Sequence, residues 1–263
     1  MTHPPGVKPP GVSAKEPHWG PIDERTLTTT FEYAAPQRPT QPRWVYLWHW
    51  PIRGMHWVAA AAIVVLFITG FYIGRPFFMA GSPGASYSLQ WVRLAHFVAA
   101  AALVATAVVR AYWLVAGNRF ERFPALFPVR RRDWVNFVRI IKFYLFIHPE
   151  RGPRYLGHNP LQQMFYTLTY LVVGLMVVTG FVLFGQANPD GVMRHAFGWI
   201  APLLGGMQMV RVIHHIASWY LPVFVIFHVY LSIRADLLER SGTMSSMVSG
   251  GRFVPVDEVY VDG

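Results

Sequence analysis

The stretch HHIASWYLPVFVIFH, residues 214–228, begins and ends on histidine, and nearly everything between is apolar or aromatic. Read as a helix, it decides the fold. His214 and His228 are fourteen residues apart, close to four full turns, so both point the same way about 21 Å apart along the axis. His215, thirteen residues before His228, falls well off that face. One face of an apolar helix therefore offers an imidazole near each of its ends.

Composition puts that helix in a bilayer. Of the 263 residues, 53% are hydrophobic and only 14% charged, which indicates a membrane class. Four runs, at about 55–77, 90–116, 161–186 and 207–234, are long and apolar enough to span. No early apolar region with a small-residue cleavage site precedes them, so no signal peptide is expected. The absence of cysteine excludes disulfides, thiolate iron–sulfur and zinc sites, and covalent haem attachment.

The net charge of +10 is spread in a way that argues against nucleic acid and for membrane orientation. Of 23 Lys and Arg, six precede the first span, nine lie between the second and third, and three come at or after the end of the fourth. The other two connections and their flanking helix starts hold four, and Arg110 sits inside a span. By the positive-inside pattern both termini and the long middle loop are cytoplasmic. The expected fold is all-α: a polytopic, four-helix transmembrane bundle in a bacterial cytoplasmic (inner) membrane. Residues 1–45, with nine prolines, read as an irregular tail, 46–240 as the membrane domain with its cytoplasmic loop at 117–160, and 241–263 as a polar, partly extended C-terminal tail. Within the loop, Trp134, Phe137, Val138 and Ile141 recur at helical spacing among Arg131, Arg132, Arg139 and Lys142. That pattern fits an interfacial helix on an anionic leaflet or a surface helix packed on the bundle.

Four of the eleven histidines, His56, His96, His214 and His228, lie inside spans at informative depths. An ionisable group there is a functional candidate by default, or else a side chain meeting the headgroups near a span end. The topology, set by Lys and Arg alone, places His96 and His214 at the outer level and His56 and His228 at the inner one. Two imidazoles at one level, without carboxylate or cysteine, suit an axially ligated haem; zinc would want further ligands. Two such sites, each holding a haem b, would make an electron path across the bilayer.

Arg53, Arg93 and Arg211 each precede a candidate ligand by three residues, as RGMH, RLAH and RVIH, and so share its face. Arg110 follows His96 by fourteen and lies at the inner level. All four are candidate contacts for haem propionates, or they snorkel at span ends. Gly70, fourteen residues after His56, lies at the outer level, where a missing side chain would let a porphyrin edge approach. Gly174 and Gly180 do the same or allow close helix packing. Pro222 interrupts the fourth span and can set the angle between its two ligands.

The segments RGMHW at 53–57, GFYIG at 70–74, RLAHF at 93–97, RAYW at 110–113, GHNPLQ at 157–162, HVYLSIRADL at 228–237 and SSMVSGGR at 245–252 stand in a specific order. Over about residues 43–252 the chain resembles the b-type cytochrome subunit of membrane-bound nickel–iron uptake hydrogenases, which is related to the gamma subunits of formate dehydrogenases. The resemblance implies a periplasmic partner, with an iron–sulfur small subunit bearing a C-terminal membrane helix and a large catalytic subunit; the complex can form a higher oligomer. Electrons from hydrogen would reach the outer haem, pass to the inner haem, and leave to a quinone. In the relatives the quinone lies near the inner haem at the start of the third span, which here is Gly157, His158 and Asn159, with Gln162 one turn on. Asn159 would hydrogen-bond a quinone carbonyl and His158 would supply protons. Asn159–Pro160 also reads as a helix start, and both roles are compatible. The proline-rich tail is longer than the family leads one to expect.

Three other readings remain. A cytochrome b subunit of another periplasmic oxidoreductase, such as formate dehydrogenase, would share the ligands and differ in its donor. A metal or proton transporter would bury histidines and arginines but show no visible absorbance. A structural anchor would need no paired histidines. Hydrogen oxidation itself is not expected here, because the chain lacks thiolates for a nickel–iron centre; quinone reduction is the reaction it can host.

Overall fold

Two of the long apolar runs begin with a proline suited to starting a helix. In a computed structural model, which describes residues 42–76, 85–144, 154–239, 242–255 and 259–262, Pro51 and Pro160 sit in the first turns of helices α1 (Trp50–Gly74) and α5 (Pro160–Gly185). A first-turn proline loses nothing, because its missing N–H would have no intrahelical partner. The other long helices are α2 (Ala85–Ala116) and α8 (Met207–Glu239). The shortest of the four has 25 residues, about 37 Å of helix, against about 30 Å of hydrocarbon. All four are long and apolar enough to cross a membrane. Between 6% and 17% of the most apolar window of each is buried inside the protein, so their apolar surface faces outward, as lipid-solvated helices require. Helices α1 and α2 begin about five residues before the expected spans, because their first turns carry Arg53 or polar residues that a hydropathy reading discounts.

The helices associate as two pairs. Helix α1 packs along α2, and α5 along α8, whereas the two pairs touch sparsely through α1 and α8. Small residues make the first seam: Ala62, Ala99 and Leu103 are buried with Ala59, Ile63 and Leu66 against them. Alanine at a membrane helix interface lets backbones approach, where packing rather than water expulsion drives association. At one end of the second pair, Val182 and Val210 close on Ala201. Ala201 belongs to the short helix α7 (Ile200–Leu203), which follows α6 (Val192–Phe197) in the connection to α8.

The opposite end carries a polar cap. Strand β1 (Arg43–Tyr46) pairs antiparallel with β2 (Gly251–Val254), Arg43 opposite Val254. Leu47, Trp48, Phe120, Leu156 and Val254 form a buried cluster beneath them. The expected boundary at residue 45 thus falls within β1, and the expected C-terminal tail contributes β2. The short helix α9 (Ser246–Ser249) ends at Gly250, with φ of 92°, where a Cβ would meet the Tyr46 ring at 2.7 Å. The Gly250 carbonyl accepts from the backbone N–H of both Leu47 and Trp48 at 2.8 Å. Residues 1–41 lie outside the described residues.

The middle connection contains α3 (Phe123–Leu126) and α4 (Arg131–Tyr144). Helix α4 packs on α5. It turns Asp133, Asn136 and Ile140 inward and leaves Trp134, Val135 and Val138 exposed beside Arg131, Arg132 and Arg139. Asn136 donates to the Tyr155 hydroxyl at 2.7 Å. Of the expected stripe, Trp134 and Val138 therefore face away from the protein, while Phe137 and Ile141 are half-buried.

Glu121 is the keystone of the cap. Its side chain is fully buried, and it collects four donors: the His49 backbone N–H at 2.7 Å, His49 Nδ1 at 2.8 Å, Trp113 Nε1 at 3.1 Å and the Asn118 N–H at 3.0 Å. A buried carboxylate is tolerated when its lone pairs are satisfied in this way. It ties the start of α1 to the end of α2. Glu121→Gln replaces one accepting oxygen with a donor among donors, so it should destabilise the protein by about 2–4 kcal/mol. Thermal unfolding in detergent reads this as a lowered midpoint; an unchanged midpoint would deny the cap its structural weight.

Candidate functional site

The histidines singled out by spacing converge in two places between the helix pairs. At the capped end, His56 of α1 and His228 of α8 face each other with ring centroids 6.1 Å apart and planes at 52°. Two imidazoles sharing one metal, each with a metal–nitrogen bond of about 2 Å, have ring centres about 6 Å apart. The His228 ring is stacked on Phe224 at 5.5 Å, and the His56 ring meets Trp57 edge-on at 5.0 Å. Nδ1 of His56 is buried and makes no hydrogen bond.

At the other level, His96 of α2 and His214 of α8 lie within electrostatic reach of one another. Each is held from the back by a threonine on the helix packed beside it. Thr69 Oγ1 of α1 is 2.8 Å from His96 Nδ1, and Thr179 Oγ1 of α5 is 2.8 Å from His214 Nδ1. Each hydroxyl also donates its single proton within its own helix, Thr69 to the Val65 carbonyl at 2.6 Å and Thr179 to the Leu175 carbonyl at 2.7 Å. A hydroxyl so committed can only accept from the histidine. The proton of each imidazole is therefore on Nδ1, and Nε2 carries the lone pair that a metal takes.

Each threonine precedes a glycine, and each glycine makes room for the same imidazole. A Cβ at Gly70 would stand 3.2 Å from His96 Cε1, and one at Gly180 would stand 3.5 Å from His214 Cε1. The space over Gly70, expected for a porphyrin edge, is thus taken by the His96 ring. A Cβ at Gly174 would meet nothing within 4 Å. His215 leaves the ligand face as the helical geometry requires and lies over Gly74, whose Cβ would be 3.8 Å from its ring.

The arginines divide by level. Arg110 Nε donates to the Tyr170 hydroxyl and Nη2 to the Glu121 carbonyl, both at 3.1 Å, while Nη1 is buried with no hydrogen bond. Arg53 donates from Nη1 to the Val248 carbonyl, and its Nε is likewise buried and unbonded. Both belong to the capped end and hold donors in reserve for an anion. Arg211 donates to Gln186 Oε1 at 2.8 Å and to Gln208 Oε1 at 3.3 Å, and Arg93 is exposed. Those two stand outward at the far level.

The GHNPLQ segment adjoins the inner pair. Tyr166 bridges to it, with its ring 6.4 Å from His228 and 4.9 Å from His158. His158 also lies 4.9 Å from Trp48. Burial above all, then the charges of Arg110, His228 and Arg252, push the His158 imidazole down to about 3. It is therefore neutral at pH 7, and its buried Nδ1 makes no hydrogen bond. Asn159 and Gln162 form a reciprocal cap on α5: Asn159 Oδ1 accepts from the Gln162 N–H and Gln162 Oε1 from the Asn159 N–H, both at 2.9 Å. The helix-start role is thus realised, and the two side-chain NH2 groups stay outside it.

The donor set fits haem. Among the described residues no group of three or more His, Cys, Asp and Glu is placed to hold a bare metal ion. A porphyrin supplies four equatorial nitrogens itself and asks the protein only for axial ligands. Spacing singled out the four histidines as candidate ligands but not Thr69, Thr179 or Glu121. The threonines had a signal, since Thr-Gly-Phe occurs at 69–71 and again at 179–181. Glu121 stands alone between Arg119 and Arg122 with nothing nearby to distinguish it from a solvated charge.

A family model for prokaryotic cytochrome b561 matches residues 47–250. A probable Ni/Fe-hydrogenase B-type cytochrome subunit of Cupriavidus necator is 41% identical over 214 residues, covering 79% of this chain and 86% of that protein. Its counterpart in Azotobacter vinelandii is 40% identical over 219 residues, 81% of this chain and 90% of that one. The probable Ni/Fe-hydrogenase 1 B-type cytochrome subunit of Escherichia coli K12 is 30% identical over 213 residues, 79% and 90% of the two chains. The chain belongs to the prokaryotic cytochrome b561 family, together with the Ni/Fe-hydrogenase B-type cytochrome subunits it matches.

Proposed function

We propose that this chain is a dihaem b-type cytochrome of the bacterial cytoplasmic membrane. It carries electrons from the iron–sulfur small subunit of a periplasmic nickel–iron hydrogenase to the quinone pool. The observation that carries this reading is the sorting of four intramembrane histidines into two pairs at two levels, with both outer rings locked in the metal-binding tautomer. The hydrogenase as donor rests on the names of the matched relatives, at 30–41% identity for those described above. The orientation rests on the distribution of Lys and Arg, which puts both termini and the capped end in the cytoplasm and His96 and His214 toward the periplasm.

Haem b, when bound, supplies one-electron oxidation and reduction at its iron. His96 with His214 at the outer level and His56 with His228 at the inner level would hold the two haem irons. Arg110 and Arg53 would offer their buried, unbonded donors to the inner propionates, and Arg93 and Arg211 would serve the outer ones. At the inner level Tyr166 joins His228 to His158, so a quinone against His158, Asn159 and Gln162 is within the reach of that pair. Neutral His158 and the amide NH2 groups of Asn159 and Gln162 would hold quinone oxygens by hydrogen bonds, and the protons would come from the capped, cytoplasmic side.

The purified chain, folded with haem available, should give a dithionite-reduced minus oxidised spectrum of b type and two haems per chain by pyridine haemochrome. A colourless chain would sink the electron-transfer account in favour of transport. His214→Ala should lose the outer haem and keep the inner; equal haem content in variant and parent would break the pairing. Asn159→Ser keeps a capping oxygen but removes the NH2 group. It should slow quinone reduction several-fold with both haems and the unfolding midpoint retained, and an unchanged rate would leave Asn159 to the cap alone.

A further inference from the structure

The two outer ligands are supported in the same unusual way, and the inner ligand His56 is not. Thr69 and Thr179 lie on different helices, yet each holds a histidine Nδ1 at 2.8 Å, gives its own proton to the carbonyl four residues back, and is followed by a glycine on which the imidazole rests. Packing alone does not call for this duplication. A valine has nearly the shape of a threonine and would fill either position without a buried hydroxyl.

We infer that Thr69 and Thr179 are positioning residues that act through His96 and His214 to make the outer haem the lower-potential member of the pair; this rests on the dihaem reading. The reason is the direction of polarisation. A hydroxyl that donates to a carbonyl becomes a better acceptor. Accepting from Nδ1–H raises the basicity of Nε2 on the same ring. A more basic axial nitrogen favours the more positive, oxidised iron and so lowers its reduction potential. Both outer ligands receive this push. At the inner level Nδ1 of His56 is buried with no acceptor, so that ligand does not. One electron leaving the outer iron and arriving at the inner iron then moves toward the higher potential, with no proton transferred in the step. The threonines thus give the bundle a direction, outer to inner, from neutral groups that a bilayer tolerates.

The test is an optical redox titration of the full-length, haem-loaded protein, with haem counted by pyridine haemochrome. The outer component is the one absent from His214→Ala, and in the parent it should be the lower-potential one. Thr69→Val and Thr179→Val should each shift that component alone, raising its reduced-to-oxidised ratio at fixed ambient potential by up to about tenfold, or about 59 mV for one electron. Thr69→Ser and Thr179→Ser, which keep the hydroxyl, should restore the parent value. Unmoved potentials in valine variants that retain both haems would overturn the inference, as would equal shifts of both components or an outer component of higher potential. Loss of the outer haem from both valine variants would assign the threonines to ligand packing and overturn it too. A parent with fewer than two haems would fail the dihaem reading itself, which separates the two failures.

Discussion

In the proposed dihaem reading the rest of the molecule follows from one constraint: two pairs of imidazoles would each have to share one metal inside a bilayer. Helix α8 would meet it by carrying one candidate ligand for each site, fourteen residues apart on a single face. The other two candidates then come from helices facing α8 at two depths, α1 and α2. Those helices would not close on α8 as tightly as ordinary partners, because the space between the rings would have to stay open. The packing reflects this: α1 seals along α2 and α5 along α8, while contact between the pairs is sparse. Alanine and glycine concentrate adhesion in the seams, where backbones can approach.

Inside the hydrocarbon the support for the outer ligands has to be neutral. Charged partners for a histidine are costly there, and a lone hydroxyl would carry its own unsatisfied proton. Threonine resolves both difficulties by returning that proton to its own helix, so the hydroxyl brings only an acceptor to the ring. At the capped end the solution differs. Glu121, Arg110, His49 and Asn118 form a hydrogen-bonded charge network that water and backbone groups can sustain. The cap is built from segments far apart in sequence, β1 and β2 among them, and it closes the bundle where polar groups are affordable.

How legible this was depended on whether a signal repeats within one element. The pairing of the candidate ligands was readable because fourteen residues on a helix is a geometric statement that needs no partner, and because Lys and Arg counts gave an expected depth independently. The capping role of Asn159 was readable for the same local reason. Gly70 was assigned to the right level, but the neighbour it accommodates is the His96 ring; periodicity gives a direction around a helix and leaves open what stands there. Thr69 and Thr179 were hidden because an intramembrane threonine bonding back to its own helix is ordinary, and only the neighbouring histidine makes it significant. Strand β1 has four residues and no alternation long enough to register beside the proline-rich segment. Glu121 could not be found from the chain, since its donors come from positions 49, 113 and 118 and meet only in the fold.

The two levels are chemically unlike, and the difference matches what each would do in the proposed pathway. An outer haem would take in one electron at a time and need no protons, and the Thr69 and Thr179 hydroxyls beside the histidines of that level are already saturated. At the inner level the groups with hydrogen-bonding capacity to spare include Arg110 Nη1, Arg53 Nε, His56 Nδ1 and His158 Nδ1, all buried and all unbonded. Reducing a quinone develops negative charge on its oxygens before protons arrive, and donors held in a low-dielectric site stabilise that charge more than water would. His158 suits such a role by being neutral: a buried imidazolium would repel Arg110, whereas a neutral ring offers a hydrogen bond and leaves proton delivery to the cap.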